Sequence, residues 1–345
     1  MEKKIDYSGL LRKFMMYIVL VILMIAFQLI CKSSTGRSFL SLSNMMNILG
    51  QNAYLLITGI GITFIMLGGA MDLSTGYLLS TLGILMALID TASGSFVLSM
   101  GLGIICGILI SGFNGVMYAW LRVFPFIITL ATQYILNGAT YLLSGGVQKT
   151  YKGLSDAFKF LGGANIPFLG GSYVKSGVIV MIILVIIGAL ILNKTHFGRN
   201  VYALGSNPDA VALSGVSVAK MRIAIFALAG LFFAFAQIVN IGKIGSASQS
   251  MGIGAEFTAM AGAMLGGIKM GGGGGKINNM VVGTLIIAVL NQGFNFLNVN
   301  QYWQDVALGI VLLFAVALDE MQTRATINAA KKVSGKAPEP TKTAA

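Results

Sequence analysis

Long apolar runs, separated by short polar segments, dominate the chain. They fall at about 14–31, 45–67, 76–90, 95–120, 126–143, 177–193, 222–242, 256–270, 277–297 and 302–318. A helix needs about 20 mostly apolar residues to cross a bilayer, with about 17–25 usual. The runs are continuous and lack the period-two alternation of a barrel strand. The pattern therefore predicts an all-α polytopic membrane protein with about ten spanning helices. The third and eighth runs are short and punctuated by glycine, so each is alternatively re-entrant or broken. The spans divide the chain into an N-terminal segment 1–13, a transmembrane domain 14–320 and a basic, proline-bearing tail 321–345, expected to be disordered.

Composition agrees. Hydrophobic residues make up 56% of the chain and charged residues 10%, against about 25% charged in soluble domains. The net charge of +12 could point to nucleic acid; in a membrane chain it reports basic segments beside anionic lipid, and no nucleic-acid partner is expected. Ten spans place both ends on one side. On that side fall 16 of the 23 lysines and arginines, leaving seven opposite, so both termini are expected in the cytoplasm. The segment 144–176 dissents, with four lysines on the outer side. The first run is long and no small-residue cleavage site follows it, so it reads as a retained span.

The stretch LGGIKMGGGGGKINN (265–279) raises the question of a nucleotide loop. A Walker loop needs G-x-x-x-x-G-K-[ST]. Here Met270 stands where the first glycine belongs, and Ile277 offers the metal no hydroxyl. The reading favoured instead is a tight reversal between two helices. The other chemistry is sparse. His196 is the single histidine, Cys31 and Cys106 lie in apolar runs, and no metal spacing or catalytic acid pair occurs. No metal, bound cofactor or enzymatic activity is expected of this chain.

The segment 194–222 is polar without being low in complexity. Asn207 or Ser206 suits an N-cap, Pro208 a first helical position, Asp209 the positive end of the helix dipole, and Gly215 a C-terminal stop. A short helix within 206–218 is predicted outside the bilayer, either a connector or a docking helix for a partner.

Five motifs in order carry a resemblance. They are GGAMDLSTGYLLS (68–80), FPFIITLATQYILNGATYLLSGG (124–146), THFGRNVYALGSNPDAVALSGVSV (195–218), AMAGAMLGGIKMGGGGG (259–275) and NQGFNFLNVNQYWQDVALGIVLLFAVALD (291–319). Together they resemble the membrane permease subunit of bacterial carbohydrate ABC importers of the ribose, galactose, arabinose and autoinducer-2 kind. The resemblance implies an inner-membrane permease that pairs with a second permease, itself or a sister. It implies two cytoplasmic ATPase subunits, which use the ATP, and an extracytoplasmic binding protein that delivers a sugar, expected to be a monosaccharide. A different cargo such as a nucleoside or branched-chain amino acid, or an ion-coupled carrier, is the alternative.

The resemblance also carries residues. Gly198, Arg199, Asn200, Gly205, Asn207, Asp209, Ala210, Ala212, Ser214 and Gly215 match the loop and coupling helix that meet the ATPase. Asp72 and Ser74 match a motif near a helix break. An acid at membrane depth costs about 2.5–3.5 kcal/mol on insertion scales, so Asp72 either caps the following helix or lines the sugar route. Asn291, Gln292, Phe294 and Asn295 mix amides and aromatics near the end of the ninth run; they suit sugar contact, and equally an interface belt. Glu256, at the start of the eighth run, is expected on the outer side in a capping role.

Overall fold

A computed structural model describes residues 7–121, 123–147 and 150–333. Its helices are α1 (Tyr7–Thr35), α2 (Leu42–Leu67), α3 (Thr75–Ser93), α4 (Phe96–Leu121), α5 (Pro125–Leu143), α6 (Asp156–Gly162), α7 (Ser176–Lys194), α8 (His196–Ser206), α9 (Pro208–Leu213), α10 (Val218–Ile244), α11 (Ala255–Leu265), α12 (Ile277–Phe296) and α13 (Gln301–Val333). Four three-residue strands make two antiparallel pairs: β1 (Thr150–Lys152) with β4 (Ser246–Ser248), and β2 (Asn165–Pro167) with β3 (Tyr173–Lys175). The protein is an all-α, multi-pass membrane protein.

Eight helices among the described residues are long and apolar enough to cross a membrane: α1 from Met15, α2, α3, α4, α5, α7, α10 and α12. The third run, expected to be short, is one of them. The eighth is not, because it folds only as the 11-residue α11, about 16 Å at 1.5 Å per residue, half of a hydrocarbon core of about 30 Å. The tenth run opens α13, whose apolar part is Gln301–Ala317. That helix continues to Val333, past residue 321 where a disordered tail is expected to begin. Residues 334–345, like 1–6, lie outside the described residues.

The connections sort onto two faces. On one, β4 pairs with β1, the Ser155 amide donates to Asp90 Oδ2 (2.8 Å), and Lys243 Nζ donates to the Gln51 carbonyl (3.0 Å). On the other, the Tyr202 hydroxyl donates to the Gly275 carbonyl (2.8 Å) and the Gly273 amide to the Leu67 carbonyl (2.9 Å). The hairpin face therefore collects 144–175 and 245–250, and the α9 face collects 68–71, 195–217 and 266–276.

Close packing comes from small residues rather than from large apolar ones. Lipid is as apolar as leucine, so burial alone does not drive helices together in a bilayer. On α4 the buried positions Ser99, Gly103, Gly107, Ser111 and Gly115 recur every four residues. This narrow stripe lets α10 approach: the Ser111 hydroxyl donates to the Phe226 carbonyl (2.7 Å), and a Cβ at Gly107 would come within 2.8 Å of the Gly230 carbonyl oxygen. The largest core, around Phe64, Phe226, Phe232 and Phe233, fills the space between α2 and α10. A second cluster, Phe27, Cys31, Phe39, Ile48, Ala288 and Val289, ties α1 to α2 and α12.

Replacing Gly107 by leucine forces α4 off α10. The expected loss is about 1–3 kcal/mol, seen as a lower thermal midpoint in detergent, whereas leucine at Gly101, with open space around it, leaves the midpoint unchanged.

Candidate functional site

Two places in the fold collect the residues singled out from the sequence. The first is α9. Asn207 Oδ1 accepts from the amides of Asp209 and Ala210, both at 3.0 Å. Pro208 occupies the first turn and Asp209 the positive end of the helix. At the other end Gly215 has φ +83°, a left-handed stop that a residue with a Cβ adopts poorly. The Gly215 amide donates to Ala212 O (3.0 Å) and the Val216 amide to Val211 O (3.3 Å), the double bond pattern of a Schellman ending. Val211 alone in this helix turns inward; Asp209, Ala210, Ala212 and Leu213 are exposed, Leu213 by 90%. The result is a six-residue knob fixed at both ends and projecting from its face.

α8 carries that knob, and its helical nature was not anticipated from the sequence. Its signal was present: Thr195 Oγ1 caps it by accepting from the Gly198 amide (3.1 Å), and Phe197, Val201 and Leu204 fall on one inward side. Arg199 and Asn200 are not part of that packing; Arg199 is exposed, with Nη2 2.7 Å from His196 Nδ1. Gly198 is buried against the end of α7, where a Cβ would collide with the Leu192 carbonyl.

Gly205 joins α8 to the rest. A Cβ there would collide with the Leu67 carbonyl, and one at Gly272 would lie 2.8 Å from Gly205 Cα and 2.9 Å from Gly69 Cα. Three glycines, from the end of α2, from α8 and from the glycine run, thus meet with backbone against backbone.

The second place is where two helices begin inside the protein. α3 starts at Thr75, and the Asp72 Oδ1 before it accepts from the Ser74 amide (2.8 Å) and the Ser74 hydroxyl (2.5 Å). The Ser74 oxygen accepts from Asn114 Nδ2 on α4 (2.9 Å), and Asn114 Oδ1 accepts from the Thr132 hydroxyl on α5 (2.6 Å). Every member is at least 95% buried. The chain of donors runs from Thr132 to the carboxylate, so Asp72 and Ser74 bind α3, α4 and α5 together.

α11 begins against the same spot. The segment leading to it passes inward along α3, with the Gly252 amide donating to the Ser80 hydroxyl (3.0 Å). Glu256, in its first turn, is buried beside Gly76, where a Cβ would collide with Glu256 Oε2. Glu256 is therefore not on the outer surface as expected. The chain dips between β4 and α11, and carries this acid to the level of the first turn of α3. Two helix N-termini, each electropositive, face two buried acids.

The amides and aromatics of α12 are elsewhere. Gln292 Nε2 donates to Asn44 Oδ1 on α2 (2.8 Å), Phe294 meets Phe27 edge-on (centroids 6.2 Å apart), and Asn295 Oδ1 accepts from Gln304 Nε2 (2.9 Å). Asn291 lines a crevice with Leu308 and Val311 of α13. These four residues knit α12 to its neighbours and do not meet Asp72 or Ser74.

Residues 44–316 match the family described as branched-chain amino acid transport system / permease component. The chain is 34% identical to the ribose import permease protein of Bacillus subtilis (strain 168), over 93% of this chain and 97% of that one. It is 32% identical to the galactose/methyl galactoside import permease protein of Escherichia coli (strain K12), over 89% and 93%. It is 33% identical to the fructose import permease protein of Rhizobium meliloti, over 88% and 84%. No solved structure matches the chain. With eight helices apolar and long enough to span among the described residues, a capped knob on one face and a family match running from α2 into α13, the chain belongs to the family of that description, branched-chain amino acid transport system / permease component.

Proposed function

We propose that this chain is the membrane permease of an ATP-driven importer for a monosaccharide. The observation that carries the reading is likeness over nearly the full length to permeases named for ribose, galactose and fructose import. The family description names branched-chain amino acids, so an amino-acid cargo is the second reading; the curated relatives favour sugar.

In this reading α9 is the coupling helix. It enters a groove on a cytoplasmic ATPase, with Asn207, Asp209, Ala210, Ala212, Ser214 and Gly215 shaping the knob and Leu213 its apolar tip. Arg199 and Asn200 flank the contact, while Gly198 and Gly205 hold α8 to the membrane body. The α9 face is cytoplasmic and both termini lie on that side, in accord with the lysine and arginine distribution. The hairpin face receives a sugar from an extracytoplasmic binding protein, and a second permease completes the route across a bacterial cell membrane. ATP is bound and hydrolysed by the ATPase subunits; this chain holds no cofactor. Asp72 and Ser74 act from the wall of the route by fixing where α3 begins. Asn291, Gln292, Phe294 and Asn295 stand at the hairpin-face end of α12, where entry begins.

The chain works as a pump if its two membrane states bind the ATPase and the binding protein differently. A protruding helix on a stiff support meets that requirement, because force applied at Leu213 is passed on rather than absorbed.

Vesicles containing the chain with its co-expressed ATPase and binding protein are expected to take up ribose, galactose or fructose when ATP is supplied. Uptake of leucine instead, or sugar uptake by the chain alone on an ion gradient, overturns the assignment. Ala212→Trp and Leu213→Glu are each expected to reduce co-purification of the ATPase at least tenfold while membrane insertion is unchanged; normal ATPase retention rules out α9 as the docking element. Asn114→Ala removes the link between Ser74 and Thr132 and leaves the buried Thr132 hydroxyl without its acceptor, and is expected to cost about 1–3 kcal/mol in detergent unfolding, with ATPase binding retained by the folded fraction.

A further inference from the structure

α5 has three faces rather than two. Ile128, Thr129, Thr132, Leu136 and Thr140 are buried against the bundle. Ile127, Ala131, Ile135 and Leu142 are exposed and apolar, Ile135 by 64%. Between them, at helical spacing, run Phe126, Leu130, Gln133, Asn137 and Tyr141. Gln133 and Asn137 lie near the middle of a helix long and apolar enough to span. Both are half-buried, and neither has a hydrogen-bond partner among the described residues.

An unpaired amide facing hydrocarbon is costly, and ionisable or strongly polar groups at membrane depth turn to protein or water. The Ile127–Ile135–Leu142 face suits lipid; the Gln133–Asn137 face does not. It must meet water or another polar surface. A second observation says where it leads. At the α9 end of α5, a cavity of about 390 Å³ opens between Ala70, Met71, Phe124, Phe126, Met270 and Val316. Ligand pockets run from about 300 Å³ upward. Phe126 lines that cavity and begins the stripe, so the stripe leads away from the cavity along α5.

We propose that the stripe Phe126–Gln133–Asn137–Tyr141 is the wall of the solute route, touching a neutral polyhydroxylated solute as it passes. The two amides supply a donor and an acceptor each for hydroxyl groups. Phe126 and Tyr141 supply aromatic surface for the apolar edges of a sugar ring. The contacts are few, as a route requires: a solute held tightly here would not leave. This rests on the sugar-permease reading and adds to it the residues that meet the solute.

The test uses the full chain with its ATPase, in a background with Cys31 and Cys106 replaced by alanine. Q133C, N137C and I135C are each exposed to a charged, membrane-impermeant methanethiosulfonate. Cysteine at Gln133 and Asn137 is expected to react at least tenfold faster than cysteine at Ile135. Equal rates at all three overturn the proposal. In parallel, Gln133→Leu and Asn137→Leu are expected to lower ATP-driven uptake of whichever of ribose, galactose or fructose the wild type moves at least tenfold, with ATPase co-purification unchanged. Loss of assembly in these variants, or a disulfide between two copies at Asn137→Cys, marks a contact between chains and overturns it as well. Labelling does not depend on the cargo, so cysteine variants that label as expected, beside a wild type that moves leucine, keep the stripe as the wall of the route and overturn the sugar reading.

Discussion

The structure depends on keeping backbone polar groups paired where helices start inside the membrane. A spanning helix satisfies its own amides except those of the first turn, and hydrocarbon offers no substitute. α3 and α11 both begin inside the protein, and they begin against each other. The Asp72 carboxylate and the Ser80 hydroxyl take up amides of the two breaks, those of Ser74 and Gly252. Asn114 and Thr132 hold Ser74, and through it Asp72, in place from α4 and α5. Glycine at 76 and 252 lets the two breaks close on one another, since a Cβ at either would collide with the other chain segment. Burying two acids is tolerated because each faces the positive end of a helix.

These breaks are tied to the α9 knob through a short path of backbone. The segment before α3 leaves α2 at Gly69, and the segment after α11 runs into the glycine run at Gly272. Both glycines touch Gly205 of α8. Contacts of this kind have no side chains to rearrange, so they transmit displacement with little give. A shift of α9 therefore reaches the start of α3 and the end of α11 together.

Much of this was legible in the chain, and the limits are instructive. The spans follow from apolar run length, which is local. The short helix α9 follows from Asn207, Pro208 and Gly215, each of which acts on its own backbone. What could not be read was depth. The eighth run is apolar, yet α11 stops at 11 residues, because it starts only after the chain has dipped along α3 and ends at Gly266 and Gly267, the latter with φ +78°. The destinations of the α12 amides were equally hidden: Gln292 meets Asn44, 248 positions away. No local signal reports a partner so distant. α5 shows the opposite case. Its three faces were written in the spacing of Gln133, Asn137 and Ile135, but a hydropathy window averages around a helix and erases faces.

The glycine run shows how composition and geometry part company. A run of glycines before a lysine offers the freely rotating amides a phosphate would want. Here two of those amides are engaged within the chain, Gly272 donating to the Lys269 carbonyl and Gly273 to the Leu67 carbonyl, and the carbonyls of Gly274 and Gly275 accept from the Lys269 amide and the Tyr202 hydroxyl. Gly272 and Gly273 take φ of +90° and +72°, conformations that L side chains rarely adopt, and a Cβ at Gly273 would collide with Ser206. Two demands, left-handed backbone and contact with another main chain, fall on adjacent positions, and glycine alone answers both. The length of the run follows from the joint it makes: the loop must turn back sharply after α11 and lie flat against α8 before α12 begins.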